Sequence, residues 1–588
     1  MYALNLLLSN AIGDKKNTAI LFSRVTLVMF FYSAFLGYNT LYFLSLEKGV
    51  FILSGLFYIT SLNITFSIFL LIITSIILVL TSYYPRKIWN KSVNELSLKG
   101  FLFSNSKLTA LNVKDVYKVI NKENPQYKVS EYGLIILFVN IGAIFLLTAN
   151  DLVSIFLAIE LQSYGLYLIC CLWRDSIKAV SAGLTYFLLG ALSSCLILLG
   201  TAILYVFSGT TNLDIIYTFI NLYSLCDYIF VSEEMSFKYE SLNIAFTLIS
   251  AGFLFKISAA PFHFWSPDVY DQIPTVVTTF VANIAKISIL IFLLKLLQYE
   301  NSVYWLNNTS WTYCLLISCF LSFIFGTVLG LKETKIKRLF ALSTISHIGF
   351  MLLAISINSL QSIQAFIFYL MQYSLSNINV FFYIIMIGYS LYYYTPNTKD
   401  NSFKYSDKNN SPLQLLSELK GYFIINPVIS LGLAITIFSF IGVPPLVGFF
   451  GKQMVLLSAI NKGYVFLSLT AIITSVIGAV YYLSIVKYIF FSQLDKKSII
   501  SFTDFLISII ERIKNDKKIK NKNSAQPYVL LLGDLFHSKS LLKLEHVTLS
   551  SSLTLITSAL TLIILLFILS PEESLNLSNI ISLMVFIH

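Results

Sequence analysis

Five ionisable residues lie in the middle of long apolar stretches of this 588-residue chain, and we call them the ionisable row: Glu160, Lys256, Lys286, His347 and Lys452. If these stretches span a bilayer, each charge costs roughly 3 kcal/mol or more unless it is paired or hydrated. Carboxyl, ammonium and imidazole groups exchange protons with one another and with water, whereas larger cations need a cage of oxygen ligands. The row therefore predicts proton transfer inside a membrane.

The first two members of the row carry the strongest signal. Glu160 lies about midway along its apolar run, too far from either end for its carboxylate to reach the interface. A purely structural alternative is a protonated glutamate hydrogen-bonded to Ser163 or Tyr164. Lys256 precedes Pro261 by five residues, and a proline removes a helical hydrogen bond and opens the preceding turn. Since a broken membrane helix needs protein or water to satisfy its free carbonyls, the sequence predicts a hydrated pocket beside Lys256.

The other three members lie on later apolar runs. Lys286 and His347 are each near the middle of a run, and the ordinary pKa of histidine, near ~6.5, suits a proton relay. A satisfied core histidine is the structural alternative. Lys452 follows Pro444–Pro445 by about two helical turns, which predicts a second broken helix. Two interrupted spans, each with a lysine, in corresponding positions of two halves are typical of a duplicated transporter.

Other charged and sulfur-bearing residues carry weaker signals. Arg24, Lys295 and Lys487 lie close to the ends of their runs, so we expect their side chains to reach the interface. The six cysteines form no Cys-x-x-Cys pair, and no metal site, Walker loop, dinucleotide fingerprint or Ser-His-Asp set is found. The net charge of +11 comes mainly from lysines that are not interleaved with aromatic residues, so no nucleic-acid partner is predicted.

Composition defines the class of protein that must position these residues. The chain is 57% hydrophobic and only 12% charged, with a mean hydropathy of +0.78, whereas soluble domains carry about 25% charged residues. Most apolar runs match the ~20 residues of a membrane helix and exceed the ~10 of a barrel strand. The sequence predicts an all-α polytopic membrane protein with about fourteen transmembrane helices. We place these spans near 1–13, 19–45, 63–84, 132–149, 151–173, 179–208, 241–262, 274–298, 311–331, 338–358, 361–394, 426–460, 464–491 and 548–570.

The distribution of lysine predicts the orientation of these spans. Most of the 40 basic residues lie in loops that follow odd-numbered spans, which puts those loops inside and both termini outside. The two interrupted spans are five apart, which allows two inverted five-helix repeats, spans 4–8 and 9–13. The predicted segments are N-terminal helices at 1–84, a polar basic loop at 85–131, the first repeat at 132–298, the second repeat at 311–491, a polar basic insertion at 492–547, and a last helix with a short tail at 548–588. Each basic segment is either a solvated insertion or a docking element.

Four motifs around the ionisable row resemble a known family. They are NDLVSIFLAIELQSYGLYL around Glu160, LFKISAAPFHFW around Lys256, IKRLFALSTISHIGFMLLA around His347 and SFIGVPPLVGFFGK around Lys452. In combination they are similar to the antiporter-like subunits of respiratory complex I, the proton-pumping NADH:ubiquinone oxidoreductase, in a fourteen-span fungal form. The resemblance extends from about residue 130 to 491, and the two basic segments fall outside it.

This resemblance implies a role for each member of the row. Glu160 would pair with Lys256, and Lys286 would carry the proton onward. His347 would bridge towards Lys452 near the exit. No cofactor would be bound by this chain, because NADH, FMN, Fe–S clusters and ubiquinone would be used elsewhere in the complex.

The resemblance also implies partners and a location. The partners would be a neighbouring antiporter-like subunit, small proximal membrane-arm subunits, accessory subunits and inner-membrane lipids such as cardiolipin. The location would be the mitochondrial inner membrane, with odd-to-even loops in the matrix and both termini in the intermembrane space. Two alternatives remain: a subunit of a multi-subunit cation/proton antiporter, or a non-pumping structural subunit of the membrane arm. A spacer would be better served by leucine at each position of the row.

Overall fold

The computed structural model describes Leu7 and residues 19–43, 46, 49–82, 131–173, 176–219, 233–300, 311–390, 394–396, 403–405, 413–492 and 551–587. Apart from Leu7, the predicted first span lies outside these residues. The predicted basic segments at 85–131 and 492–547 also lie outside them, except for their boundary residues 131 and 492.

Helices make up most of the described residues. Those of the N-terminal part and the first half are α1 (Ala19–Thr40), α2 (Ser61–Ser82), α3 (Tyr132–Thr148), α4 (Leu152–Cys171), α5 (Ile177–Ser208), α6 (Glu233–Ile257), α7 (Trp265–Gln272) and α8 (Thr275–Glu300). Those of the second half are α9 (Thr312–Gly330), α10 (Ile336–Ile357), α11 (Leu360–Ser390), α12 (Tyr422–Ile425), α13 (Pro427–Ile441), α14 (Val447–Asn461), α15 (Val465–Phe490), α16 (Ser551–Leu566) and α17 (Pro571–Ile587).

Two findings differ from the predicted architecture. The described residues contain two short antiparallel hairpins, which pair Val50–Ile52 with Phe57–Ile59 and Tyr394–Pro396 with Phe403–Tyr405, so the fold is not purely helical. The segment predicted as a short C-terminal tail contains α17, which packs against α11. The tail prediction was wrong because the composition of α17 is mixed and gives no strong helix signal, whereas packing against α11 stabilises the helix.

Nine of the described helices are long and apolar enough to cross a membrane. They are α2, α4, α5, α8, α9, α10, α11, α15 and α16 with its short 3₁₀ extension to Leu569. Three shorter apolar helices, α3, the second part of α6 and α13, adjoin them. The described part of the chain is therefore a helical membrane bundle.

The bundle is organised around three central helices. The most apolar stretch of α10 is completely buried, that of α8 is 94% buried and that of α11 is 89% buried. The corresponding stretches of α5, α15 and α16 are mostly exposed, as expected for helices that face lipid or another subunit. Two members of the ionisable row, Lys286 on α8 and His347 on α10, therefore lie on the most enclosed helices.

A local capping motif fixes the start of α4. The side chain of Asp151 accepts a hydrogen bond from the Val153 backbone N–H at 2.8 Å, and the hydroxyl oxygen of Ser154 accepts one from the Asp151 backbone N–H at 3.3 Å. This reciprocal pattern satisfies backbone donors that have no helical partner. With a rise of 1.5 Å per residue, Glu160 then lies about 14 Å below this end of the helix.

Candidate functional site

Glu160 and Lys256 form a buried ion pair. Lys256 Nζ donates to Glu160 Oε1 at 2.9 Å, and only 7% and 12% of the two side chains are exposed. The Ser163 hydroxyl lies 3.4 Å from the other carboxylate oxygen, whereas Tyr164 is largely exposed. An ion pair in this setting is stable only while both partners are present, because an unpaired buried charge is costly.

A small cavity of about 20 Å³ adjoins this ion pair. Lys256, Gln162 and Ser163 contribute polar groups to its lining, and Tyr167 and Trp265 are among its aromatic walls. A cavity needs roughly 10–15 Å³ and polar partners to hold one water molecule. The ion pair can therefore exchange protons with a single bound water.

An interruption of the helix follows Lys256 directly. Helix α6 ends at Ile257, Pro261 lies in the intervening turns, and α7 begins at Trp265. The indole Nε1 of Trp265 donates to the backbone carbonyl of Phe255 at 3.0 Å. The interruption is thus held by a side-chain donor that satisfies a carbonyl in the last turn of α6.

Lys286 is enclosed without a carboxylate partner. Its Nζ donates to Thr344 Oγ1 at 2.9 Å and lies 5.5 Å from the centre of the Tyr270 ring. Among the described residues, no carboxylate oxygen lies within 4.0 Å of this nitrogen. A hydroxyl and an aromatic face stabilise an ammonium less than a counter-charge does, so this lysine is suited to transfer its proton.

His347 is held between two tyrosines. Its Nδ1 lies 2.7 Å from the Tyr369 hydroxyl and its Nε2 lies 3.2 Å from the Tyr482 hydroxyl. A neutral imidazole donates through one nitrogen and accepts through the other, whereas an imidazolium donates through both. Rotation of one phenolic O–H is enough to accommodate either state. The site can therefore bind and release a proton without losing its hydrogen bonds.

Lys452 lies beside the second interruption. Helix α13 ends at Ile441, Gly442 has a φ of +88°, and Pro444–Pro445 precedes the start of α14. Lys452 Nζ donates to the Ile441 carbonyl at 2.9 Å and lies 5.6 Å from the centre of the Phe350 ring. A Cβ on Gly442 would lie 3.1 Å from Lys452 Cδ. The glycine thus provides both the left-handed turn and the space for the lysine.

Hydroxyl groups that the sequence analysis did not identify contact two members of the row, Lys286 and His347. Glu160 and Lys256 are in direct contact, whereas no other two members of the row share a direct hydrogen bond within the described residues. Thr344 contacts Lys286, and Tyr369 and Tyr482 contact His347. The ring of Tyr369 also stacks on the ring of Phe350, and Lys452 Nζ lies over that ring. In the part of the chain that is described, no group of three or more His, Cys, Asp or Glu could hold a metal ion.

Three basic residues near helix ends differ in their surroundings. Arg24 and Lys487 are exposed, in keeping with side chains that reach the interface. Lys295 instead donates to the backbone carbonyl of Ala149 at 2.7 Å inside the protein. Lys295 therefore differs from the predicted interfacial side chain, because its ammonium donates to a backbone carbonyl at the C-terminal end of α3.

A cluster of charges joins α7 to the start of α10. Asp271 accepts from Lys335 Nζ at 2.6 Å and lies 3.7 Å from Arg338 Nε. The buried Lys337 donates to the backbone carbonyl of Ile273 at 2.6 Å. The segment after the first interruption is thereby fixed to the helix that carries the histidine of the row.

Comparisons with known sequences agree with this arrangement. Residues 149–478 match the family model described as NADH:quinone oxidoreductase/Mrp antiporter, TM. The chain is 39% identical over 583 residues to NADH-ubiquinone oxidoreductase chain 2 of Rhizopus oryzae. This match covers 99% of this chain and 98% of that protein. It is also 33% identical to NADH-quinone oxidoreductase subunit N of Rhodospirillum rubrum over 62% of this chain and 68% of that protein.

Solved structures share the fold at lower identity. A chain of respiratory complex I from Thermus thermophilus superposes with a TM-score of 0.59 at 23% identity, over 84% of this chain and 89% of that one. A chain of the Mrp complex from Dietzia gives a TM-score of 0.65 at 16% identity, over 99% and 95% of the two chains. At these identities the similarity concerns the fold alone.

Proposed function

The chain belongs to the NADH:quinone oxidoreductase/Mrp antiporter transmembrane family, and we propose that the ionisable row is its proton relay. It is a membrane-arm core subunit of proton-pumping NADH:ubiquinone oxidoreductase, respiratory complex I, of the type called chain 2 in mitochondria and subunit N in bacteria. It translocates protons across the membrane, coupled to electron transfer from NADH to ubiquinone. In our proposal that electron transfer takes place in other subunits, which hold FMN, the Fe–S clusters and the quinone.

The buried ion pair is the observation that carries the proposal. Lys256 is stabilised as an ammonium by a carboxylate 2.9 Å away, next to a cavity that has room for one water. Movement of the Glu160 charge away from this position removes most of that stabilisation, because electrostatic attraction is strong in a poorly solvated site. A charge displacement at Glu160 therefore controls whether Lys256 keeps or releases its proton.

The subsequent steps follow the contacts that Lys286 on α8 and His347 on α10 make. The proton passes from Lys256 to Lys286, whose ammonium already donates to a hydroxyl on α10. His347 takes it up between its two phenols, which suit both states of the imidazole. It then reaches Lys452 beside the second interruption, from which it leaves the bundle.

We propose the membrane orientation and the organisation of the chain on the same basis. The complex is located in the mitochondrial inner membrane, with odd-to-even loops in the matrix and both termini in the intermembrane space. The segments 132–298 and 311–491 are inverted five-helix repeats, and each contains one interrupted helix with a lysine beside it. The chain contacts a neighbouring antiporter-like subunit, small proximal subunits, accessory subunits and lipids such as cardiolipin.

Measurement of the protons translocated per electron tests the relay. The assembled complex carrying Lys256→Met, reconstituted in sealed vesicles, should oxidise NADH with a lower proton-to-electron ratio than the unmodified complex. Lys487→Met is the matched control, because Lys487 is exposed near the end of α15 and makes no contact with the row. An assembled Lys256→Met complex with an unchanged ratio would show that the row does not pump and would favour the structural-subunit alternative.

A further inference from the structure

Three buried residues with hydroxyl groups lie near Lys286 or His347, and we call them the hydroxyl pocket: Tyr270, Thr344 and Tyr373. The Tyr270 ring lies 5.5 Å from Lys286 Nζ, and the Tyr373 ring lies 5.2 Å from the His347 ring, centre to centre. Thr344 contacts the lysine directly and precedes the histidine by three residues on α10, which puts the two on one face of that helix. The hydroxyl pocket thus includes neighbours of both Lys286 and His347, two members of the row that share no direct hydrogen bond within the described residues.

Two of these hydroxyls are buried without a hydrogen bond to another described residue. The phenolic oxygens of Tyr270 and Tyr373 are buried and form no hydrogen bond of normal geometry with any described residue. Tyr373 has both Tyr270 and Thr344 as neighbours. An unpaired buried hydroxyl costs about 1–3 kcal/mol, and buried waters usually satisfy such groups. Two unsatisfied phenols near one further hydroxyl are therefore the kind of groups that a buried water would satisfy next to Thr344.

The hydroxyl of Thr344 is already engaged on both sides. It accepts a hydrogen bond from Lys286 Nζ at 2.9 Å and donates its own hydrogen to the Ala341 carbonyl at 2.7 Å. A hydroxyl has one hydrogen to donate, so it cannot also donate towards Tyr373 in this position. Rotation about its C–O bond redirects that hydrogen from the carbonyl to the water site.

We propose that the hydroxyl pocket binds one water molecule and that Thr344 transfers protons from Lys286 to it, an inference that rests on the proposed function. In this step the ammonium of Lys286 gives one proton to the Thr344 oxygen, and Thr344 gives its own hydrogen to the water. The water then releases one proton to the oxygen of a phenol that contacts a ring nitrogen of His347, Tyr369 or Tyr482, and that phenol gives its own hydrogen to the histidine. Threonine and water are unchanged after the step, and one proton has moved from the lysine to the histidine.

Isosteric substitutions at Thr344 test this step. Thr344→Val removes the hydroxyl but keeps the shape of the side chain, and we expect the proton-to-electron ratio to fall to the value of Lys286→Met. Thr344→Ser keeps the hydroxyl and should retain the ratio of the unmodified complex. Thr436→Val is the matched control, since Thr436 is also buried and donates to the carbonyl three residues earlier but contacts no lysine.

A second variant separates proton transfer from the positioning of Lys286. The double substitution Tyr270→Phe and Tyr373→Phe keeps both rings and the hydrogen bond of Lys286 to Thr344, but removes the two hydroxyls that hold the water. We expect it to lower the ratio as well, and it also decides the question if Thr344→Val does not assemble. A normal ratio in this double variant would refute the water site.

The outcomes distinguish this proposal from the relay itself. A normal ratio in assembled Thr344→Val, with a low ratio in Lys256→Met, would overturn the role of Thr344 and leave the relay intact. Normal ratios in both variants would overturn the relay and the hydroxyl pocket together. Equal losses in Thr344→Val and in the Thr436→Val control would mean that loss of a buried hydroxyl, and not loss of a transfer step, is responsible.

Discussion

Replacement of Glu160 by glutamine keeps the size of the side chain but leaves Lys256 without its counter-charge. The two groups are 2.9 Å apart with 7% and 12% of their side chains exposed. At an effective dielectric constant of ~20, this separation corresponds to an attraction of about 6 kcal/mol. Breaking a buried ion pair by removing one partner costs about 3–5 kcal/mol in measured cases. We expect Glu160→Gln to lower the stability of the assembled subunit by about 3–5 kcal/mol and to stop its pumping.

Replacement of both partners separates stability from function. The double variant Glu160→Gln and Lys256→Met contains no buried charge at this position, and uncharged replacements of a buried ion pair are often neutral or stabilising. We therefore expect its stability to return close to that of the unmodified complex. Pumping should stay absent, because no group remains at this position that could accept and release the proton.

Two measurements on the same preparations check these expectations. Thermal dissociation of the purified complex reports stability, and the proton-to-electron ratio in sealed vesicles reports pumping. The double-mutant cycle gives the coupling energy between the two residues if each single variant is also measured. A double variant that pumps normally, or a Glu160→Gln variant as stable as the double, would refute the reasoning.

Two further predictions concern residues beside the row. Tyr369→Phe removes the hydroxyl 2.7 Å from His347 Nδ1. The ring nitrogen left unpaired costs about 1–3 kcal/mol of stability, which the complex should tolerate. Because the phenol is also a proton-exchange partner of the histidine in the proposed relay, we expect an assembled complex with a lower proton-to-electron ratio. An unchanged ratio would mean that the phenol plays no part in transfer. Gly442→Ala strains a residue with φ +88° and brings a methyl group to 3.1 Å from Lys452 Cδ. It should lower the thermal stability by more than Gly463→Ala, whose φ is +87° with nothing within 4 Å.

The ionisable row could be found from the sequence because a charge inside an apolar run is expensive and rare. Both interruptions could also be predicted, since a proline removes a helical hydrogen bond and the freed carbonyl needs a partner in the membrane. The pairing of Glu160 with Lys256 came from the family resemblance, and their spacing of 96 residues gives no hint of contact. Long-range contacts of this kind depend on helix packing, which a single sequence does not encode in any local pattern.

The hydroxyl partners of Lys286 and His347 could not be predicted. The chain has 36 tyrosines, and a tyrosine in an apolar run is unremarkable in a membrane protein because one end of the side chain is apolar. Tyr369 and Tyr482 are 22 and 135 positions away from the histidine that they contact. Helix α17 escaped prediction for a related reason, because its stability comes from packing on α11 and its own composition is mixed.

A side chain donates a hydrogen bond to a backbone carbonyl at each interruption, but the donor is neutral at the first and charged at the second. The first is fastened by the indole of Trp265, which keeps its hydrogen throughout the pumping cycle. The second is fastened by the ammonium of Lys452 on the Ile441 carbonyl, and a charged donor binds roughly twice as strongly as a neutral one. If Lys452 gives up its proton as the proposed relay requires, its hydrogen bond to the last carbonyl of α13 becomes weaker at that moment. The proposed relay thus makes the stability of the second interruption, but not of the first, depend on whether a proton is bound.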